Sequence, residues 1–196
     1  LGAWILWLGW FGFNGGSELK VSEVSSATAV SQVFLNTNMA AAGGVLTAML
    51  MSLFMTGKMD VTMAINGAIA GLVSITADPL SPSGGMAILV GAIGGAIVYF
   101  SIVFLEKSGV DDPVGAISAH GTVGIFGVLA VAFTGGASFM GQLIGVLMIA
   151  GFTYLTSLGT ILAINTLIMP IRASDAEQEA GLDISEVGIE AYPEFK

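Results

Sequence analysis

The feature that most constrains this chain is the length of its uncharged apolar runs. Charged residues divide residues 1–171 into pieces, most of them near the roughly 17–25 apolar residues that a membrane helix needs. The run Pro113–Ile171 is too long for one helix, and the turn-forming stretch Thr134-Gly-Gly-Ala-Ser138 divides it in two. The pattern therefore predicts a polytopic membrane protein.

These runs predict six transmembrane helices within residues 1–171, at about 1–17, 29–55, 61–77, 84–105, 113–133 and 139–169. An even number of spans places both chain ends on one side. Lys58, Lys107 and Arg172 fall on that side and Lys20 on the other, so the positive-inside rule makes the shared side cytoplasmic. Residues 172–196 are then an acidic cytoplasmic tail.

Composition excludes several classes of protein. The chain is 55% hydrophobic and only 10% charged, too apolar for a soluble or a disordered chain. It has no Cys, one His and five Lys or Arg residues, which argues against disulfides, zinc sites and nucleic-acid binding. No nucleophile–base pair or metal-ligand spacing occurs, so we predict no enzyme activity, no metal and no cofactor. The chain begins Leu-Gly-Ala-Trp without Met, which we interpret as a fragment of a longer protein.

Glycine pairs spaced four residues apart recur along the predicted spans. Such spacing lets helix backbones approach closely where lipid offers no hydrophobic drive for association. We predict tight packing at most of these pairs: Gly12/Gly16, Gly67/Gly71, Gly91/Gly95 and Gly141/Gly145.

His120, the only imidazole, lies within the predicted fifth helix. An ionisable side chain inside a membrane usually faces a cavity or a pathway. The alternative is a packed histidine bonded to a neighbouring carbonyl. We predict a mid-membrane, mostly buried imidazole that faces a pore.

Asp111-Asp112-Pro113 opens the same predicted helix. Proline fits the first helical position, and a preceding aspartate fits the N-cap. We therefore predict that Asp112 caps the helix.

Trp10, Phe13 and Ser17 fall within about 60° of one another on a helix over residues 1–17. Aromatic faces below a hydroxyl could bind a cation by cation–π attraction and hydrogen bonding. The alternative is an aromatic belt at the membrane interface.

Four segments together resemble the ammonium transporter (Amt/Mep/Rh) family, on the Amt branch. They are Gly9–Ser17 (GWFGFNGGS), Asn66–Thr76 (NGAIAGLVSIT), Val110–Gly121 (VDDPVGAISAHG) and Gly181–Glu186 (GLDISE). The resemblance covers essentially the whole chain in order. It implies an all-α fold of eleven transmembrane helices in two inverted halves, assembled as a homotrimer with a pore in each subunit. This chain resembles the second part, from the sixth helix to the tail, with the N-terminal half missing.

The resemblance also implies roles. Phe13 resembles one of two outer-gate phenylalanines, Trp10 the aromatic of the vestibule, and Ser17 the hydroxyl that recruits ammonium. His120 resembles the second of two pore histidines that relay a proton. The implied function is ammonium/ammonia transport, in which the cation is recruited, deprotonated and passed as ammonia through a hydrophobic pore.

The tail resembles the place where a PII-type signalling protein would block the pore from the cytoplasm. Leu182, Ile184 and Tyr192 are its expected docking residues, and Val187 departs from a family pattern in which His often precedes the glycine. Two other functions stay open. One is an ammonium sensor whose membrane domain signals to a cytoplasmic output, and the other is a structural membrane subunit with an inert pore.

Overall fold

The computed structural model describes residues 1–194, and this range contains helices and no strands. The α-helices are α1 (Gly2–Gly16), α2 (Val24–Thr56), α3 (Val61–Ile75), α4 (Gly84–Lys107), α5 (Val123–Thr134), α6 (Phe139–Leu167) and α7 (Asp175–Ala180). Two π-helical segments, Ile117–Thr122 and Asp183–Val187, complete the secondary structure of this range. The predicted all-α class is confirmed. The chain divides into two compact units, Leu1–Val146 and Leu147–Lys196.

Four helical segments are long and apolar enough to cross a membrane: α2, α4, α6 and the continuous stretch Ile117–Thr134. Helix α3 is apolar but shorter, with 15 residues, and α1 has the same length. That all six segments span a membrane, and that the membrane part ends at residue 171, stay predictions.

The centre of the first unit is a tight cluster of α2, α3 and α4. Gly44 of α2 and Gly67 of α3 lie so close that a Cβ on either would collide with the carbonyl oxygen of the other. A Cβ on Gly91 of α4 would collide in the same way with the carbonyl of Ala40. Small side chains therefore let three backbones meet, the arrangement by which membrane helices gain van der Waals contact.

Tight packing is confirmed for two of the predicted glycine pairs, Gly67/Gly71 and Gly91/Gly95. It is wrong for the other two within residues 1–194. A Cβ at either glycine of the α1 pair would meet nothing within 4 Å, and the α6 pair has only the side chain of Ser138 nearby. These pairs lie on helix faces that no described residue covers.

Polar caps and one buried amide hold the connections of the first unit. Asp60 caps α3, with Oδ1 accepting from the backbone N–H of Thr62 at 2.7 Å and its hydroxyl at 2.6 Å. Both bonds lower the pKa of Asp60, and the bond from the Thr62 hydroxyl has the larger effect. Asn36 is fully buried in α2 and donates to the carbonyls of Pro79 and Pro82 at 2.9 and 2.7 Å. The amide thereby fixes the α3–α4 loop without leaving a donor unpaired.

The second unit contains the C-terminal part of α6 and the tail. Helix α7 begins with a capping box, in which Ser174 Oγ accepts from the N–H of Glu177 and Glu177 Oε2 accepts from the N–H of Ser174. After α7, Asp183 Oδ2 accepts from the N–H of Ala191 at 2.8 Å. These local bonds shape an exposed acidic segment.

Candidate functional site

The aromatic side chains of α1 lie against one another near its C-terminal end. The rings of Trp10 and Phe13 pack edge to face, with centroids 6.1 Å apart and planes at 85°. Phe13 is 61% exposed, whereas Trp10 is half-buried. Ser17 follows α1 and donates its hydroxyl proton to the carbonyl of Phe13 at 3.0 Å. Helical spacing of three and four residues brings these groups to one end of the helix.

Trp10 is anchored to α3 by a hydrogen bond. Its indole Nε1–H donates to Thr76 Oγ1 at 2.8 Å, and the Thr76 hydroxyl donates to the carbonyl of Leu72 at 2.7 Å. The indole also lies nearly parallel to the imidazole of His120, with centroids 6.3 Å apart and planes at 12°. One aromatic side chain thus connects α1, α3 and the π-helical segment before α5.

A second hydrogen bond holds α1 to α2. The amide of Asn14 donates to Thr37 Oγ1 at 3.0 Å, and both residues are buried. A buried polar pair of this kind is costly to break, because separation leaves a donor unpaired. It therefore helps to fix the rotation at which α1 presents Phe13.

An open groove of about 380 Å³ runs along these residues. It is lined by Trp10, Phe13, Val73, Thr76, Ala77, His120, Gly124 and Val128. Its walls are mainly apolar, with the Thr76 hydroxyl and the His120 imidazole as polar groups. Ser17 is not part of the lining. Such a groove disfavours a hydrated cation but can take a small neutral molecule.

The imidazole of His120 is exposed in the described part of the chain, so the prediction of a mostly buried side chain is wrong there. Residues 1–194 cover only one side of the groove, and the ring lies at its open side. The imidazole makes no hydrogen bond within this range. A histidine packed against a carbonyl, the alternative interpretation, is therefore not what the structure contains.

Asp112 lies five residues before the π-helical segment that carries His120. Its carboxylate accepts from the N–H of Ile117 at 3.1 Å and from the N–H of Ser118 at 3.2 Å. Pro113 does not occupy the first helical position, so that prediction is wrong. The chain makes a turn through Gly115, at φ 71°, before the helix begins. The N-cap residue is therefore Ala116 and not Asp112, although the carboxylate of Asp112 reaches across the turn to the first N–H groups of the segment.

Sequence reasoning missed Thr76, which both anchors Trp10 and lines the groove. The one feature of the sequence that could have indicated Thr76 is its position at the end of Asn66–Thr76, one of the four segments that resemble the family. An isolated threonine near a helix end usually bonds to the preceding turn. Nothing local indicates that an indole 66 residues away in sequence donates to it.

Residues 1–194 contain no three His, Cys, Asp or Glu side chains that are grouped closely enough to hold a metal ion. The site therefore consists of aromatic, hydroxyl and imidazole groups.

Comparison with known proteins identifies the family. The profile of the Ammonium Transporter Family matches residues 1–192. The chain belongs to this family. Family members are multi-pass membrane transporters rather than enzymes, in agreement with the apolar helices.

Relatives of the ammonium transporter family match the chain from end to end. It is 38% identical to ammonium transporter Amt2 of Archaeoglobus fulgidus over 215 aligned positions, covering all of this chain and 45% of that protein. It is 33% identical to the ammonium transporter of Bacillus subtilis, covering 98% of this chain and 50% of that protein. The chain thus spans about half the length of these relatives.

Solved structures of the family share the fold. A protein described as a sensor Amt protein superposes with a TM-score of 0.86 and 31% identity, over 94% of this chain and 47% of that one. Candida albicans Mep2 superposes with a TM-score of 0.78 and 29% identity, over 90% of this chain and 42% of that one. The predicted family and fold class are confirmed.

Proposed function

We propose that this chain forms part of an ammonium/ammonia transporter whose pore includes the Trp10–His120 groove. The observation that carries the proposal is that the only imidazole of the chain lies in one groove with Trp10 and Phe13. This placement supports a path that joins a cation-attracting aromatic end to a proton acceptor.

Each group has a distinct task in this path. The aromatic faces of Trp10 and Phe13 attract ammonium, a contact worth about 0.5–2 kcal/mol. The hydroxyl of Ser17 replaces part of the hydration of the cation at the outer mouth, and Phe13 acts as the outer gate. Ammonium then loses a proton, because the apolar groove beyond the mouth favours ammonia over the ion.

His120 receives or relays the proton during passage. A neutral imidazole has one donor and one acceptor nitrogen, so it can take up a proton on one nitrogen and release one from the other. The open side of the groove leaves these nitrogens accessible in residues 1–194. A second wall, supplied by a further half of the protein, completes the pore.

Vesicles that contain the intact protein test this function. Wild-type protein should carry ammonium, and His120→Ala should change the rate or the preference for ammonium over larger methylated analogues. Thr134→Val is the matched control, because Thr134 lies outside the groove and bonds only to the carbonyl of Ala130. Wild-type rate and selectivity in His120→Ala would contradict the pore role.

The second candidate function is that of an ammonium sensor, and the observation that favours it is the structural similarity to a protein described as a sensor Amt protein. In that case the wild-type protein would bind ammonium at the same groove without net flux. A binding assay beside the flux assay separates the two functions. Saturable binding without flux would support the sensor, and flux would support the transporter.

The proposal extends to how the protein assembles and how its transport is regulated. We propose a homotrimer that includes the missing half, with the tail on the cytoplasmic side. Leu182, Ile184 and Tyr192 are exposed side chains of that tail and are its proposed docking residues on the membrane domain or a partner, and a PII-type protein is the proposed regulator at the same tail. Deleting the tail after Ile171 should abolish the response of transport to nitrogen status. An unchanged response would contradict this regulation.

A further inference from the structure

The hydroxyl of Thr76 has two simultaneous hydrogen bonds. Its proton is donated to the carbonyl of Leu72 at 2.7 Å, one turn earlier in α3. Its oxygen accepts from the indole Nε1–H of Trp10 at 2.8 Å. The first bond fixes where the oxygen points, and the second therefore fixes where the indole nitrogen lies. Thr76 is thus an oriented acceptor rather than a freely rotating hydroxyl.

The indole plane depends on that acceptor. The torsion that rotates an indole about its Cβ–Cγ bond is broad, so packing and hydrogen bonding choose its value. Trp10 contacts Phe13 by an edge-to-face arrangement, which tolerates rotation more readily than a directional hydrogen bond. Loss of the Thr76 oxygen would free the ring.

The imidazole of His120 depends in turn on the indole. Within residues 1–194 the imidazole makes no hydrogen bond, and its ring partner is Trp10, at 12° between planes. We propose that Thr76 is a positioning residue that sets the plane of His120 through the indole of Trp10. The expected effect on ammonium flux rests on the proposed transport function, because proton transfer requires an oriented imidazole nitrogen. Its structural part stands independently of transport.

Three variants test the chain of contacts in the intact protein. Thr76→Val keeps the shape of the side chain but removes the acceptor, and Thr76→Ser restores it. Thr134→Val is the matched control, since Thr134 also donates to a carbonyl one turn back but accepts from no indole. Protein labelled with carbon-13 histidine gives the ring signals, and His120→Gln identifies those of His120 by their loss.

The ring current of a stacked indole acts on the protons of the imidazole. Thr76→Val should therefore move the His120 ring signals, whereas Thr76→Ser and Thr134→Val should leave them at wild-type positions. Unmoved signals in Thr76→Val would overturn the positioning role. Signals that move equally in Thr134→Val would also overturn it, since they would report a general loss of packing.

Flux through vesicles tests the consequence. Thr76→Val should lower the maximal ammonium flux by about fivefold, the effect of one lost hydrogen bond. The half-saturating concentration should change less than the flux, because Phe13 and Ser17 are retained at the outer mouth and only the indole of Trp10 is freed. Moved signals with wild-type flux would overturn the link between ring orientation and transport. If the wild-type protein carries no ammonium, the transport function fails, and the histidine signals alone decide whether Thr76 positions His120.

Discussion

The carboxylate of Asp112 shows how one side chain begins a helix from a distance. It accepts from two N–H groups, those of Ile117 and Ser118, across a turn that contains Gly115. Both donors belong to the first turn of the segment that carries His120, where helices lack internal acceptors. The start of the segment that carries His120 therefore depends on a residue eight positions before the histidine.

Replacement of Asp112 by Ala should destabilise this helix start. We expect a loss of about 0.5–2 kcal/mol in the free energy of unfolding, the range for lost N-terminal caps. Asp111→Ala is the matched control, because the neighbouring carboxylate accepts no hydrogen bond within residues 1–194. Denaturant unfolding of the intact protein in detergent measures both variants. Equal stability of the two variants would contradict the capping role.

At the scale of elements, three helices meet through residues without side chains. Gly44 lies against Gly67 and Gly71 of α3, and its own carbonyl lies against Gly95 of α4. A methyl group at Gly44 has no free space, because the atoms around it are backbone atoms that cannot rotate away. The close approach of α2, α3 and α4 therefore requires glycine there.

Gly44→Ala should lower the thermal stability of the intact protein in detergent. Overpacking costs about 1–3 kcal/mol in well-packed cores. Gly85→Ala is the control, because a Cβ there meets nothing within 4 Å and alanine favours the helix. An unfolding midpoint equal to wild type in Gly44→Ala would show that the helices separate more readily than the structure indicates.

The short tail helix α7 is stabilised by the ionised form of Glu177. The Ser174 hydroxyl and then its backbone N–H bond to Glu177 and lower the pKa of that carboxyl. A lowered pKa in the folded state means that the capping box contributes stability above the unfolded pKa. That contribution is lost as pH falls through the folded pKa.

Ser174→Ala should raise the pKa of Glu177 toward its ordinary value and shorten α7. Carboxyl chemical shifts followed against pH measure the first effect, and amide shifts of residues 175–180 measure the second. Ser185→Ala is the control, since the Ser185 hydroxyl donates to the carbonyl of Gly181 and not to Glu177. An unchanged Glu177 titration in Ser174→Ala would rule out the capping box as the cause.

At the scale of the whole molecule, the groove has one wall within residues 1–194. His120 is exposed there and makes no side-chain hydrogen bond within that range, and an unsatisfied polar group that faces hydrocarbon costs roughly several kcal/mol. The chain also spans about half the length of its relatives. Both observations support a pore that needs a further half.

Vesicles that contain only residues 1–196 should therefore carry no ammonium. Addition of the missing half, as a linked or separate chain, should restore flux. Flux through the vesicles with residues 1–196 alone would contradict this prediction.

Orientation is tested by chemical labelling in cells. The chain contains no native Cys, so Lys58→Cys introduces a single thiol into it between α2 and α3. A membrane-impermeant reagent should reach this thiol only from the cytoplasmic side. Lys20→Cys is the matched control and should react only from outside. The reverse pattern would invert the proposed topology.

The sequence by itself determined that the apolar segments of residues 1–171 are helical and to which family the chain belongs, but it did not predict α7 or the segment Asp183–Val187. Uncharged apolar runs bounded by charged residues are local signals that predict where helices lie. The tertiary structure decided which helices meet and how the site is oriented. The Trp10–Thr76 bond joins residues 66 positions apart. Pro113 predicted a helix that begins at residue 113, whereas a turn delays the start of the π-helical segment to Ile117. Contacts between distant helices depend on packing and rotation about each helix axis, and neither is encoded in a short stretch of sequence.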